Sequence, residues 1–268
     1  MATTANIDTL PWELIGRISP LLARKEFMAL RRANKTLLAG TMYDFGERYC
    51  KVLRVRLQAH ALEVLLSLLE YKDIASRVHT VHFFVCYRHW KPLRDQEVQQ
   101  MLRLLQQLLP KIQTATAVHI NSISHKYFDA HIDTLLHALI ETPLSRISRI
   151  GFHGSTLDLQ LLQHFFDTCK GPIAHLSIHC LCAREGNWFD LLEFMRDHME
   201  IEKLDFVPAY RDMWDSPVFE SGRRRLVKWM RDPEIKKYEH YVLGHQSFMC
   251  GPNAVKAGLQ VLLERRGG

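Results

Sequence analysis

One short apolar pattern recurs along this chain, and it constrains the fold more than any other feature. An apolar residue is followed by two positions of any kind, a second apolar residue, one free position and a third apolar residue. It reads Val52, Val55, Leu57; Val78, Val81, Phe83; Ala115, Val118, Ile120; Ile147, Ile150, Phe152; Ile173, Leu176, Ile178; and Ile201, Leu204, Phe206. The tail of each match alternates apolar and polar residues, the period of a strand with one buried face. Strands that keep the same positions apolar present the same surface to a shared core.

Amphipathic helices lie between these strands. Leu62, Leu65, Leu66 and Leu69 share one face; so do Met101, Leu102, Leu105 and Leu109, then Ile132, Leu135, Leu136 and Leu139, then Leu162, Phe165 and Phe166, then Leu191, Leu192 and Met195. Pro110, Pro143 and Pro172 follow three of them, where a helix must stop. Alternating strands and helices predict an α/β chain of parallel strands with helical crossovers. Two architectures satisfy that order: a doubly wound sheet, with a pocket where strand order reverses, or a stack of repeats with outer helices. The common register of the strand motif favours the stack.

The strand motif resembles the opening of the leucine-rich repeat over roughly residues 52 to 210. That resemblance implies a solenoid of degenerate repeats, expected over residues 51–217. Residues 218–268 are expected to form an irregular cap, with Tyr238, Tyr241 and Leu243 in a last strand and Val255, Leu259, Leu262 and Leu263 on a closing helix that starts at Pro252.

Residues 7–50 carry no strand pattern and read as a short all-helical module. Leu10-Pro11-Trp12-Glu13-Leu14 enters a helix through a proline, whose missing N–H costs nothing in the first turn, and Glu13 suits the positive helix end. Leu14, Ile15 and Ile18 form a stripe, Ser19-Pro20 breaks the helix early, and a second helix runs from Phe27 past Leu30 to Leu37. The order Leu10-Pro11-x-Glu13-Leu14, Ile18, Leu21-Leu22, Leu30-Arg31-Arg32-Ala33-Asn34-Lys35-Thr36-Leu37 resembles the F-box. The resemblance implies docking on a Skp-type adaptor of a cullin–RING ubiquitin ligase (SCF type) through Leu10, Pro11, Leu14, Ile18, Leu21, Leu22, Leu30 and Leu37. It implies too that the repeats hold a protein substrate inside the cell, in cytoplasm or nucleus. The alternative from the residues alone is that these helices cap a repeat scaffold unconnected with a ligase.

Along each strand, the residues beside the apolar positions face away from the core. They fall into rows: Arg54, Thr80, Ala117, Arg149, His175, Lys203; then Arg56, His82, His119, Gly151, Ser177, Asp205; then Gln58, Phe84, Asn121, His153, His179, Val207. Arg54, Arg56, His82, Phe84, His119, Asn121, Arg149, His153, His175 and His179, with Tyr87 and Tyr210 from two long connections, are the expected substrate contacts. The surplus of Arg and His favours an acidic or phosphorylated ligand, held more tightly at mildly acidic pH as histidines charge.

Other signals point nowhere. The chain contains no phosphate loop, dinucleotide fingerprint, nucleophile elbow or zinc-protease motif, and no nucleophile–base constellation stands out. An enzyme is not expected, nor a cofactor. Strand alternation sends His179 and Cys180 to opposite faces, so no metal is expected from the His175, His179, Cys180, Cys182 cluster. The net charge of +6 and the basic run Arg223-Arg224-Arg225 do not by themselves predict a nucleic-acid partner. No apolar run reaches the roughly 20 residues of a membrane span. The six cysteines are scattered and read as free, mostly buried thiols.

Overall fold

The computed structural model describes residues 10–85, 94–122, 129–169, 173–208, 240–243 and 246–263. Tyr87, Tyr210, Tyr238, Pro172 and the basic run at 223–231 lie outside the described residues. The chain forms an α/β fold around one mostly parallel sheet.

Short helices come first: α1 (Trp12–Ile18), α2 (Arg24–Ala33), α3 (Lys35–Gly40) and α4 (Met42–Phe45), with a π turn at Gly46–Cys50. The helix α1 stops where Ser19-Pro20 converts it to a single 3-10 turn. Glu26 reaches back to the Ala23 N–H at 2.9 Å to open α2, and Asn34 accepts the Leu37 N–H at 2.7 Å to open α3. Phe27, Leu37 and Ile15 are buried between them. Arg48 donates to the Ser19 and Leu22 carbonyls, each at 2.9 Å, and Arg77 pairs with Glu47 and lies 3.9 Å over the Tyr43 ring. The Arg48 bonds tie the helices to one another, and the Arg77 contacts join them to the first strand–helix unit.

That unit and its successors are β1 (Val52–Arg56), α5 (Ala59–Leu69), α6 (Lys72–Ala75), β2 (Thr80–Val85), α7 (Asp95–Leu108), β3 (Ala117–Ser122), α8 (Asp129–Glu141), β4 (Arg149–His153), β5 (Thr156–Asp158), α9 (Leu159–Thr168), β6 (Ile173–Glu185), α10 (Trp188–His198) and β7 (Ile201–Pro208). The chain closes with β8 (His240–Leu243), β9 (Gln246–Cys250) and α11 (Pro252–Leu263). Helix starts are capped as the sequence allows: Asp158 accepts the Gln160 and Leu161 N–H groups, and Asn187 accepts that of Phe189.

The main sheet runs β1-β2-β3-β4-β6-β7-β9-β8, parallel through β7 and antiparallel beyond. The parallel strands follow chain order without a reversal, so the doubly wound topology is not the one this chain adopts. Helices contact their successors in the same order, α5 with α7, α7 with α8, α8 with α9, α9 with α10 and α10 with α11. The strand pairing aligns Val81, Val118, Ile150, Leu176 and Leu204 in one row, and Phe83, Ile120, Phe152, Ile178 and Phe206 in another. Both rows are buried against the helices. Phe152 meets Phe165 and Phe166 edge-on at 6.3 and 6.1 Å.

The first strand corrects one reading. Its partner register pairs Leu53 with Val81 and Val55 with Phe83, so the motif there begins at Cys50 and not at Val52. Val52 is 48% exposed while Cys50 and Leu53 are buried. Leu53, Val55 and Leu57 alternate along one face, so a slip of two residues preserves the pattern, whereas a slip of one would reverse it. Among the described residues, no helix is long and apolar enough to cross a membrane.

Candidate functional site

The sheet face away from the helices carries the polar rows, shifted by two positions on β1. Arg54 sits beside His82, not Thr80, and Arg56 beside Phe84, not His82. Gln58 lies outside β1 and joins no row. Arg54, Arg56, Arg149 and Lys203 are exposed; His82, Phe84, His119, Asn121, His153, His175 and His179 are half-buried. The register therefore brings the expected substrate residues of five strands onto one surface.

Histidines form a connected ladder across it. His82 and His119 stack with ring centres 4.6 Å apart, His119 and His153 are 6.1 Å apart, and His153 meets His179 edge-on at 4.7 Å. Gly151 makes this possible: a Cβ there would lie 2.5 Å from His119 Nδ1 and 3.0 Å from His153 Nε2. Gly154, with φ near +64°, passes so close to Ser122 that a Cβ would meet its carbonyl oxygen at 2.2 Å. Both glycines interrupt the strand-forming residues around them, and that interruption is the signal that could have marked a close approach.

Burial favours the neutral form of His82, His119, His153 and His175. Desolvation, then repulsion from His82, His153, His175 and Arg149, pushes the His119 imidazole down to about 4. Desolvation likewise lowers His82, with Arg54 adding to it, and lowers His153 and His175. The expected gain in ligand binding at mildly acidic pH is thus corrected for His119: it stays neutral there, because burial disfavours its charged form and its neighbours are other imidazoles and cations rather than carboxylates.

At the end of the ladder, His179 Nε2 lies 2.7 Å from Asp205 Oδ2 and 3.1 Å from Ser177 Oγ. These are the residue types of a hydrolytic triad without its geometry. A proton relay needs the carboxylate on one ring nitrogen and the hydroxyl on the other. Here both meet the same nitrogen, so the cluster orients the ring and does not activate Ser177.

Cys180 overturns a second reading. It adopts φ 53° at an irregularity in β6, where pairing skips from His179 to Leu181. Strict alternation fails there, and Cys180 lines the same depression as His179 rather than the opposite face. Among the described residues, no three His, Cys, Asp or Glu side chains converge as a metal would require. Cys50 is buried, while Cys169, Cys180 and Cys250 are free and only half-buried. Burial still pushes the Cys169 thiol up to about 12.

The residues assigned to adaptor contact divide. Pro11, Leu14, Ile18 and Leu21 are exposed, Leu21 at 83%; Leu10, Leu22 and Leu30 are half-buried. Leu37 is fully buried and has no surface to offer a partner, a correction that follows from its place on the inner side of α3. Leu38, beside it, is exposed instead, as is Tyr43.

Compared with known family models and with curated proteins, the sequence matches none.

Proposed function

We propose that this chain is a substrate-recognition subunit of an SCF-type, cullin–RING ubiquitin ligase. Its N-terminal helices dock on a Skp-type adaptor, and a leucine-rich-repeat-like solenoid holds a protein substrate. It performs no chemistry itself and contributes proximity, holding a target beside a ubiquitin-loaded enzyme.

The observation that carries this reading is the exposed apolar set Leu14, Ile18 and Leu21 on α1 and its 3-10 turn. They occupy positions that the F-box resemblance gives to the adaptor. A short helix that leaves large apolar side chains in water gains by covering them with a partner. The repeat half rests on strands in monotonic order with helices behind them. Helices packed about 8–10 Å apart behind strands about 4.8 Å apart bend a sheet so that its open face is the inner one.

The test is co-expression with a Skp-type adaptor followed by size-exclusion chromatography. Wild type is expected to co-elute in a one-to-one complex, and Leu14→Ala/Leu21→Ala is expected to elute alone while remaining folded. A folded wild type that never co-elutes would end the ligase reading. It would favour a second one, a repeat scaffold with a helical cap, which the Arg77 contacts to Glu47 and Tyr43 also suit.

A further inference from the structure

The strand β1 ends the sheet: among the described residues it pairs with β2 alone. The Lys51 C=O accepts the Thr80 N–H, and the Leu57 N–H donates to the Phe84 C=O, each at 3.0 Å. Successive residues of a strand turn their peptide groups to opposite edges. Leu53 and Val55 therefore bond β2, while the N–H and C=O of Arg54 and the N–H of Arg56 point off the sheet. Such a row is a template for another strand. The N-terminal helices meet this unit through α4 and the π turn, at α6 and the start of β1.

The side chains along this edge carry charge without a counterpart. Arg54 and Arg56 are exposed on the open face. The strands β1, β2, β3 and β4 contain no Asp or Glu. Among the described residues neither arginine has an ion pair, and Arg56 leans over the Phe84 ring at 5.9 Å. Lys51, just before the strand, is already matched by Glu47 at 2.8 Å.

These charges select the occupant. A second copy of this chain paired edge to edge would set arginine against arginine, and like charges opposite one another oppose pairing. A segment with carboxylates at two alternate positions gains at both. The helix side adds a third requirement. Glu63 and Glu70 of α5 meet Gln100 and Lys111 at 3.1 and 2.7 Å, so they mark the flank that faces α7. At about 3.6 residues per turn, Val64 and Leu68 fall on the flank turned from α7. Val64 is 57% exposed and Leu68 is half-buried. On an added strand, the residue between the two acids points to this side.

We propose that the free edge of β1 takes up an extended segment of a partner protein as an added strand, with Asp or Glu at two alternate positions facing Arg54 and Arg56 and an apolar residue between them against Val64 and Leu68. Main-chain bonds to Arg54 and Arg56 give the affinity, and the acid–apolar–acid pattern gives the choice of segment. This deepens the substrate-receptor reading, on which it rests, by stating how these two arginines engage a substrate.

The experiment is selection of a displayed random twelve-residue peptide library on the full chain and on Arg54→Glu/Arg56→Glu, followed by affinity and hydrogen-exchange measurements with the synthetic consensus peptide. Wild type is expected to enrich an apolar residue flanked by acids, and the charge-reversed variant to enrich Lys or Arg in place of the acids. The peptide should bind Arg54→Gln/Arg56→Gln about tenfold more weakly, and Val64→Glu should lose the apolar preference. N-methylation of one alternate set of peptide amides should abolish binding and that of the other set should not, and the Arg54 and Arg56 amides should gain protection. No enrichment, acids without the alternation, indifference to charge reversal, binding that survives methylation of either set, or protection elsewhere in the sheet but not in β1 would each overturn the proposal. Adaptor co-elution is read on the same variants and should not change. A chain that selects this peptide but never binds the adaptor keeps the strand site and loses the ligase reading, and the converse result does the opposite.

Discussion

Gly151 shows how a single missing side chain organises the open face. The space it leaves is taken by His119 and His153, whose ring nitrogens would lie 2.5 and 3.0 Å from a Cβ. Gly151→Ala forces both rings aside and is expected to destabilise the fold by about 1–3 kcal/mol, the usual cost of overpacking. Urea denaturation measures the loss, and an unchanged midpoint would mean the rings move freely. His119, which lies between His82 and His153, carries a pH prediction. Folded His119 titrates near 4, against an ordinary value of 6.5. Between those limits the unfolded chain binds more protons, so stability falls as pH drops through that window, and no such loss exists above 6.5. His119→Gln removes the titration. The stability of wild type relative to His119→Gln should therefore shrink, on the order of 2 kcal/mol, as pH falls from 7 to 4. A difference that stays constant over that range would show that the ring titrates normally.

At the scale of elements, α3 holds a core leucine and the 3-10 turn after α1 an exposed one. Leu37 is fully buried, so Leu37→Ala should cost roughly 2–5 kcal/mol of stability in a melting experiment, as a buried leucine does. Leu21, 83% exposed, should leave the melting curve within about 0.5 kcal/mol when changed to Ala. The F-box resemblance placed both residues together because a linear motif records position and not depth. Elsewhere the sequence was legible wherever periodicity spoke. The paired rows through Val81 and Phe83 match the apolar pattern residue for residue on β2, β3, β4, β6 and β7, and Val255, Leu259, Leu262 and Leu263 are buried on α11. It was illegible where periodicity is degenerate or broken. On β1 a two-residue slip satisfies the same alternation. At Cys180 a left-handed residue shifts the register, and the three-residue β5 beside it is too short to carry a period. The charge state of the ladder was hidden as well, because it depends on which histidines the register brings together.

For the whole molecule, the order of contacts sets how stability is shared. The parallel strands of the main sheet pair in chain order, β5 aside, and each long helix packs on the next. Stability in such a stack is a sum of units and nearest-neighbour interfaces, with coupling that weakens along the stack. Units flanked on both sides should open last, and local openings should need less energy than global unfolding. The strands β3, β4 and β6 have partners on either side, whereas β1 has a strand on one side only among the described residues. Native-state hydrogen exchange should then show the slowest amides in β3, β4 and β6 and faster ones in β1. A cavity in the middle makes the test sharper. Ile120 on β3 is fully buried, and Ile120→Ala should cost roughly 2–5 kcal/mol locally. Its effect on exchange should be largest in β2, β3 and β4 and should fade toward β7. An equal loss of protection in every strand would show instead that the sheet unfolds as one cooperative unit, and the distance-dependent coupling argued from the strand order would have to be abandoned.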